Sequence, residues 1–218
     1  MAINLVQATL AIGALGTAAT GLVDTTKAFS GGMSRAGFGY IKHLVARTVA
    51  PATGAGLTNQ DILGTLLANW MNGMEPGAQK TIAKSFIKLH LNAATAGDLA
   101  RETNVSADAL AVVAQKLATV QPLEAAESDA YGRFDVALSA MVDRAYERAD
   151  QFYRNSCKAL AAILAVGLAF VGNTQLSNPL PGWEVLIIGL IATPLAPVAK
   201  DIANAIQAAS DAVGSVKG

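Results

Sequence analysis

The chain is poor in charge, in aromatic residues and in cysteine, and each shortage closes off a class of protein. Charged residues make up 15% and aromatics 6% of 218 residues, where an average soluble domain carries about 25% charged residues. Small and aliphatic residues fill the gap and bring the hydrophobic share to 52%, which argues against an ordinary soluble domain. Neither sign of charge is in excess: 16 basic residues balance 16 acidic ones. No global field therefore attracts nucleic acid, and the apolar content excludes a disordered chain. The single cysteine, Cys157, has no partner for an internal disulfide and no second thiol for a zinc site, so it leaves the redox compartment open.

The shortage of charge is concentrated at the two ends. From Ala2 to Val23 there are 22 residues without a charge, and as a helix they reach roughly 33 Å, enough for a bilayer core of about 30 Å. A cleaved signal peptide carries basic residues ahead of its apolar stretch, whereas the first basic residue here is Lys27, after it; a retained transmembrane helix is predicted. A second apolar block runs from Cys157 to Gly172 and a third from Leu180 to Ala199, with the turn-rich stretch Asn173–Pro179 between them. The pair reads as a helical hairpin or as a shallow re-entrant element. Trp183 and Glu184 at one end and Lys200 at the other suit the two interfaces and favour the hairpin. Pro194 and Pro197 remove two backbone donors and are expected to kink or loosen the last span. A broken helix lining an ion path is the sharper reading of those prolines, but no acidic residue accompanies them at mid-depth.

Orientation follows from the basic residues beside the spans. Lys27, Arg35, Lys42 and Arg47 follow the first; Arg144, Arg148, Arg154 and Lys158 precede the second; Lys200 and Lys217 follow the third, and the 173–182 loop has none. By the positive-inside rule the long middle region and the C-terminus face the cytoplasm, and the N-terminus and the short loop face outward.

The middle region reads as a series of helices. Gly31, Gly32, Gly37 and Gly39 precede a short basic helix around 38–49, and Pro51 with the small-residue run at 52–56 separates that helix from the next. Thr58 and Asp61 supply an N-cap and a first-turn acid for a helix whose apolar series is Ile62, Leu66, Leu67, Trp70 and Met71. Gly73, Pro76 and Gly77 end it. A helix over 78–92 restarts with Ile82, Phe86 and Leu89 on one face and Lys80, Lys84 and Lys88 on the other.

Residues 96–120 resemble the two-helix core of a helix-turn-helix domain. Ala100 stands where the first helix must be small, Asn104 at the left-handed turn, Val105 after it, and Leu110 and Val113 on the buried face of the second helix. The second helix offers only Asp108, Gln115 and Lys116 to a nucleic acid, and residues 95–129 carry six acids against two bases. Binding by counterion release needs several basic contacts, so a helical pair packed on the rest of the chain or on a partner is expected.

From Glu127 onward one long amphipathic helix is predicted. Phe134, Leu138, Met141, Ala145, Ala149 and Phe152 recur at threes and fours on one stripe; Asp135, Asp143, Arg144, Glu147, Arg148 and Asp150 fill the remainder, with Asp150 and Arg154 at pairing distance. No glycine or proline separates it from the second apolar block, so it continues into the membrane as a stalk. Phe134–Asp135, Met141–Arg144 and Phe152–Arg154, together with Gly182–Trp183, Gly189, Pro194 and Pro197 in the last span, resemble a family of uncharacterised bacterial inner-membrane proteins. The resemblance covers chiefly residues 1–48 and 127–205. It implies three spans, a cytoplasmic helical region, an amphipathic stalk and a closing hairpin, and it implies no chemistry.

Motifs of catalysis are missing. No phosphate-binding loop, dinucleotide-binding glycine pattern, His-Glu-x-x-His or Gly-x-Ser-x-Gly occurs. His43 and His90 have no carboxylate spaced to share a metal and read as packing or interfacial residues. Glu102, Glu124 and Glu127 are candidate acids or bases, but all lie on polar faces of solvated helices. The sequon at Asn104–Ser106 is irrelevant on the cytoplasmic side of a bacterial membrane. No catalytic residue, metal, cofactor or small-molecule substrate is assigned.

Association is better supported. Gly13, Thr17 and Gly21 in the first span and Gly189 and Thr193 in the third have the small-x3-small spacing that lets membrane helices approach closely. Those surfaces, with Gly167 of the second span, serve either packing within the chain or self-assembly. The stalk stripe (Phe134, Leu138, Met141, Ala145 and Phe152), together with the Trp70–Met71 surface, is the predicted face for partner helices.

The expected protein is all-α. It has a transmembrane helix over 1–24, a cytoplasmic helical domain over 25–125, an amphipathic stalk over 126–157, a transmembrane hairpin over 158–199 and a cytoplasmic tail over 200–218. Its expected role is a non-enzymatic structural or scaffolding subunit in a bacterial inner membrane, touching lipid and a second copy or a membrane-complex partner, and not nucleic acid. An oligomeric pore or transport accessory subunit is the alternative, and a membrane-tethered helix-turn-helix regulator the remote one.

Overall fold

The structure, a computed structural model, describes residues 5–26, 32–49 and 57–216. Lys27, Gly31, Pro51, the 52–56 run and Lys217 lie outside the described residues. The described chain is all-α: helices α1 (Leu5–Thr26), α2 (Phe38–Thr48), α3 (Asn59–Met71), α4 (Pro76–Leu89), α5 (Ala96–Thr103), α6 (Ala107–Ala118), α7 (Ala125–Asn173) and α8 (Gly182–Val216), with no strand among the described residues. Three helices are long and apolar enough to cross a membrane: α1 from Gln7, α7, and α8 from Gly182 to Ala208. The chain divides into two compact units, residues 34–153 and the described parts of 1–33 with 154–218. Helix α7, of 49 residues, takes in both the expected stalk and the expected second span.

In the 34–153 unit the local signals place the helix ends. Thr58 and Asp61 form a capping box at the start of α3. Glu75 caps α4 by accepting from the amides of Gly77 and Ala78, with Pro76 in the first turn where its missing N–H costs nothing. Asn104 takes the left-handed conformation between α5 and α6 (φ 54°), and Ser106 caps α6. Gly37, at φ +90°, brings the backbone against α7: a Cβ there would lie 2.1 Å from the Ala149 carbonyl oxygen.

Two helices end in Schellman motifs, and they differ in one residue. After α3, Gly73 at φ 67° donates to the Trp70 carbonyl and Met74 to that of Asn69. After α6, Val120 at φ 55° donates to Leu117 and Gln121 to Lys116, in the same pattern. A β-branched residue is strained in this region of backbone space, and Val120 is 92% exposed, so no packing offsets the strain. Val120→Gly is expected to stabilise the unit by about 1 kcal/mol, read as a higher unfolding temperature.

The core of this unit is built on α7. Phe134, Leu138, Val142, Tyr146 and Ala149 are buried against Ile41, Leu44 and Val45 of α2, Ile62 and Leu66 of α3, Ala83 and Ile87 of α4, Leu99 and Ala100 of α5, and Leu110 of α6. The stalk stripe is therefore consumed within the chain. Of the five residues predicted to face partner helices, Phe134, Leu138 and Ala145 are buried, Met141 is partly buried against the same core, and only Phe152 is exposed. Trp70 also turns inward, donating from Nε1 to the Ser34 carbonyl at 2.7 Å. Tyr146 donates to the Gln79 carbonyl at 3.4 Å, and burial pushes its phenol up to about 12.

Helix α4 is turned from the expected orientation. Its buried row is Gln79, Ala83 and Ile87; Ile82 and Phe86 are partly buried, and Leu89 is exposed. The cause is the lysine row. Lys84 donates to Asp135 Oδ2 and to Ser139 Oγ, both at 2.7 Å, Lys88 pairs with Asp135, and Lys80 meets Asp143 at 2.9 Å. Lysines spaced by four thus straddle two α7 aspartates spaced by eight.

In the other unit, α8 packs on α1 and on the C-terminal part of α7. The helix continues through Pro194 and Pro197 to Val216, so residues 200–216 of the expected tail are helical. Asn173 clasps the eight-residue connection 174–181 by donating to and accepting from the Leu180 backbone at 3.1 and 2.8 Å.

Candidate functional site

The predicted membrane seam is present in part. Where α1 meets α8, a Cβ on Gly13 would lie 1.9 Å from the Ala199 Cβ, and one on Gly16 would lie 2.0 Å from the Ala192 carbonyl oxygen. Ala19 is buried beside Ala165 of α7 and Ala192 of α8, with Ile12, Leu15, Leu164 and Leu168 around them. Gly189 faces α7, its hypothetical Cβ 2.5 Å from Val166 Cα. Close backbone approach is how helices gain dispersion energy in lipid, where burying apolar surface gives no advantage.

Gly13 and Gly189 thus stand in the seam, and Gly21 and Gly167 do not: a Cβ on either would meet nothing within 4 Å. Thr17 is exposed and spends its hydroxyl on the Gly13 carbonyl at 3.0 Å. The buried row of α1 is Gly13, Gly16, Ala19 and Val23, of which Gly16 was not singled out from the sequence. Its signal was the second glycine one turn after Gly13, outside the four-residue spacing. Thr193 has a buried hydroxyl with no hydrogen-bond partner, beside Pro194 and Pro197, which cannot donate to the carbonyls of Leu190 and Thr193.

In the 34–153 unit the candidate acids are all paired. Glu102 meets Arg47, and Lys116 meets Glu127 at 2.7 Å and Glu124 at 3.6 Å. The hydrogen bond from Lys116, helped by the Glu124 amide, holds the Glu127 carboxyl below the usual range, the opposite of what a general acid needs. Lys116 was also the one base that the second helix of the helix-turn-helix pair offered to a nucleic acid, and these carboxylates hold it. That pair packs as expected, with Ala100, Leu110 and Val113 buried. His90 closes α4, its Nδ1 2.9 Å from the Phe86 carbonyl oxygen, and His43 is exposed on α2. Among the described residues no three His, Cys, Asp or Glu side chains gather where a metal could be held.

Asp135 is held by two lysines of α4, Lys84 and Lys88. Burial pulls its carboxyl upward, but hydrogen bonds from Lys84 and Lys88 outweigh that and hold it below the ordinary aspartate range. A depressed folded-state value contributes stability that is complete above the unfolded-state pKa, near 4, and is lost as pH falls through the folded-state value. Asp135→Asn is expected to cost about 1–2 kcal/mol at neutral pH. In thermal unfolding measured against pH, its difference from the wild type closes on acidification.

Comparison with protein-family models, with curated proteins and with solved structures finds no match to this chain.

Proposed function

We propose that this protein is a non-enzymatic structural or scaffolding subunit of an oligomeric assembly in a bacterial inner membrane, with its N-terminus outside and its middle region and C-terminus in the cytoplasm. The supporting observation is the face of α1 left over once its seam with α8 is made. Ala14, Thr17, Ala18 and Gly21 are exposed at helical spacing, on a span whose opposite row already packs backbone to backbone. In lipid a second small-residue face suits a further helix, from another copy or a partner, and three spans alone make a thin membrane domain. The orientation rests on Arg35, Lys42, Arg47, Arg144, Arg148, Arg154, Lys158 and Lys200 against a 173–182 loop without a basic residue.

The test is cross-linking through Gly21→Cys in a Cys157→Ser background, with native mass measured after reconstitution. A cross-linked second chain or a stoichiometric partner is the expected result, and a strict monomer without partners would sink the reading. The alternative, a pore or transport accessory subunit, draws on the unpartnered Thr193 hydroxyl beside the two prolines. Conductance abolished by Thr193→Val would favour it over a scaffold.

A further inference from the structure

Two helices of the 34–153 unit bring the same kind of stripe to one groove. Helix α2 contributes Tyr40, His43, Leu44 and Arg47, and α7 contributes Met141, Arg144, Ala145 and Arg148, each set at spacings of three, four and seven. The groove between them has a volume of about 230 Å³. Leu44, Met141 and Ala145 form its apolar floor, and three guanidiniums and an imidazole line it. Only Arg47 has a carboxylate partner, Glu102; Arg144 and Arg148 make no ion pair or hydrogen bond with any described residue. Like charges converging on one concave surface repel unless an anion lies among them, and a guanidinium fork matches phosphate oxygens. A basic residue that only orients a helix in the membrane needs no such convergence, because that rule counts charges near the span and not their geometry.

A second groove, of about 440 Å³, adjoins the first and shares Tyr40 and His43 with it. Its other walls are Gly37, Gly39 and Phe152, and the Tyr40 and Phe152 rings meet edge to face with centroids 6.0 Å apart. Both residues remain more than 40% exposed. The basic groove is smaller than the roughly 300–1,000 Å³ of a drug-sized ligand site, so it suits a phosphate group and little more. The apolar groove beside it suits a hydrocarbon stub.

We propose that the two grooves form a binding site for an anionic phospholipid, with the headgroup phosphate among His43, Arg47, Arg144 and Arg148 and the glycerol and first methylenes along Tyr40 and Phe152. The phosphate is the recognised chemistry, and the adjoining apolar wall favours a lipid over a soluble phosphate ester as its source. The site is independent of the assembly state.

The test uses the full chain in mild detergent and in nanodiscs. Phosphatidylglycerol is expected to be retained in native mass spectra and to raise the unfolding temperature, and phosphatidylcholine to do neither. Arg144→Gln with Arg148→Gln is expected to weaken phosphatidylglycerol retention at least tenfold. Arg101→Gln with Arg133→Gln, an equal charge loss at surface residues outside the grooves, should change it less than twofold. Phe152→Ser separates the sources, because it weakens lipid retention and leaves protection by inorganic phosphate alone untouched. If inorganic phosphate gives the full Arg144- and Arg148-dependent protection and lipid adds nothing, the phosphate site stands and its assignment to lipid falls. Equal loss in the two double variants, or no effect of either probe, overturns the site.

Discussion

Phe134→Ala is expected to unfold the 34–153 unit rather than weaken an association. Phe134 is the largest fully buried side chain among the described residues, and it sits on α7 where helices from α2 to α6 converge. Removing a buried phenyl ring deletes its transfer free energy and leaves a cavity that helices on several sides cannot close together, a loss of about 3–5 kcal/mol. A domain of this size has on the order of 5–15 kcal/mol in all, so the variant should melt far lower. Val136→Ala, two residues along the same helix, removes an apolar side chain that is 70% exposed, and should stay within about 0.5 kcal/mol. Circular dichroism melts and native masses in the same detergent separate the two roles. Unchanged melting with loss of a bound partner would return the stripe to the interface that its sequence pattern first suggested.

That pattern shows which part of the molecule the sequence makes legible. The stripe from Phe134 to Ala149 was readable because threes and fours mark a helix face regardless of what covers it. What covers it is spread over α2 to α6, and periodicity along one helix carries no information about a partner contributed by five others. Helix α4 failed for a related reason. Gln79, Ala83 and Ile87 look less apolar than Ile82, Phe86 and Leu89, but the first row is the fully buried one, with Ile82 and Phe86 only partly buried beside it, when Lys80, Lys84 and Lys88 reach Asp135 and Asp143. Hydropathy ranked the faces of α4, and cross-helix charge pairing chose between them. The three spans were legible because scarcity of charge along an apolar run is a one-dimensional signal: none in 2–23, Lys158 at the edge of the second block and Glu184 near the start of the third. The groove between α2 and α7 was not, because its basic residues come from segments about a hundred positions apart, and each alone reads as a topology signal.

The seam between α1 and α8 gives the second large effect, and helix geometry explains why Gly21 does not share it with Gly13. A row spaced by four drifts about 40° per step, so Gly21 lies about 80° around the helix from Gly13. The buried row takes steps of three, three and four through Gly16 and Ala19 to Val23. Gly16→Leu is expected to detach α1 from α8, because its Cβ would lie 2.0 Å from a carbonyl oxygen of Ala192, a backbone atom that no rotamer change can move. The helices must separate, and with them go the contacts of Gly13 with Ala199 and of Ala19 with Ala192 and Ala165. Overpacking costs about 1–3 kcal/mol, this clash with backbone standing at the upper end, and lipid supplies no hydrophobic force to hold the helices together afterwards. Gly21→Leu makes the same chemical change on the same helix where nothing lies within 4 Å, so the protomer's melting should not move. Melting in detergent and native mass in nanodiscs, taken for both variants, distinguish the two faces: Gly16→Leu lowers the melting temperature in either setting, whereas Gly21→Leu changes only the mass. If Gly21→Leu changes neither, the outward face of α1 meets only lipid, and the assembly would have to be held by another surface.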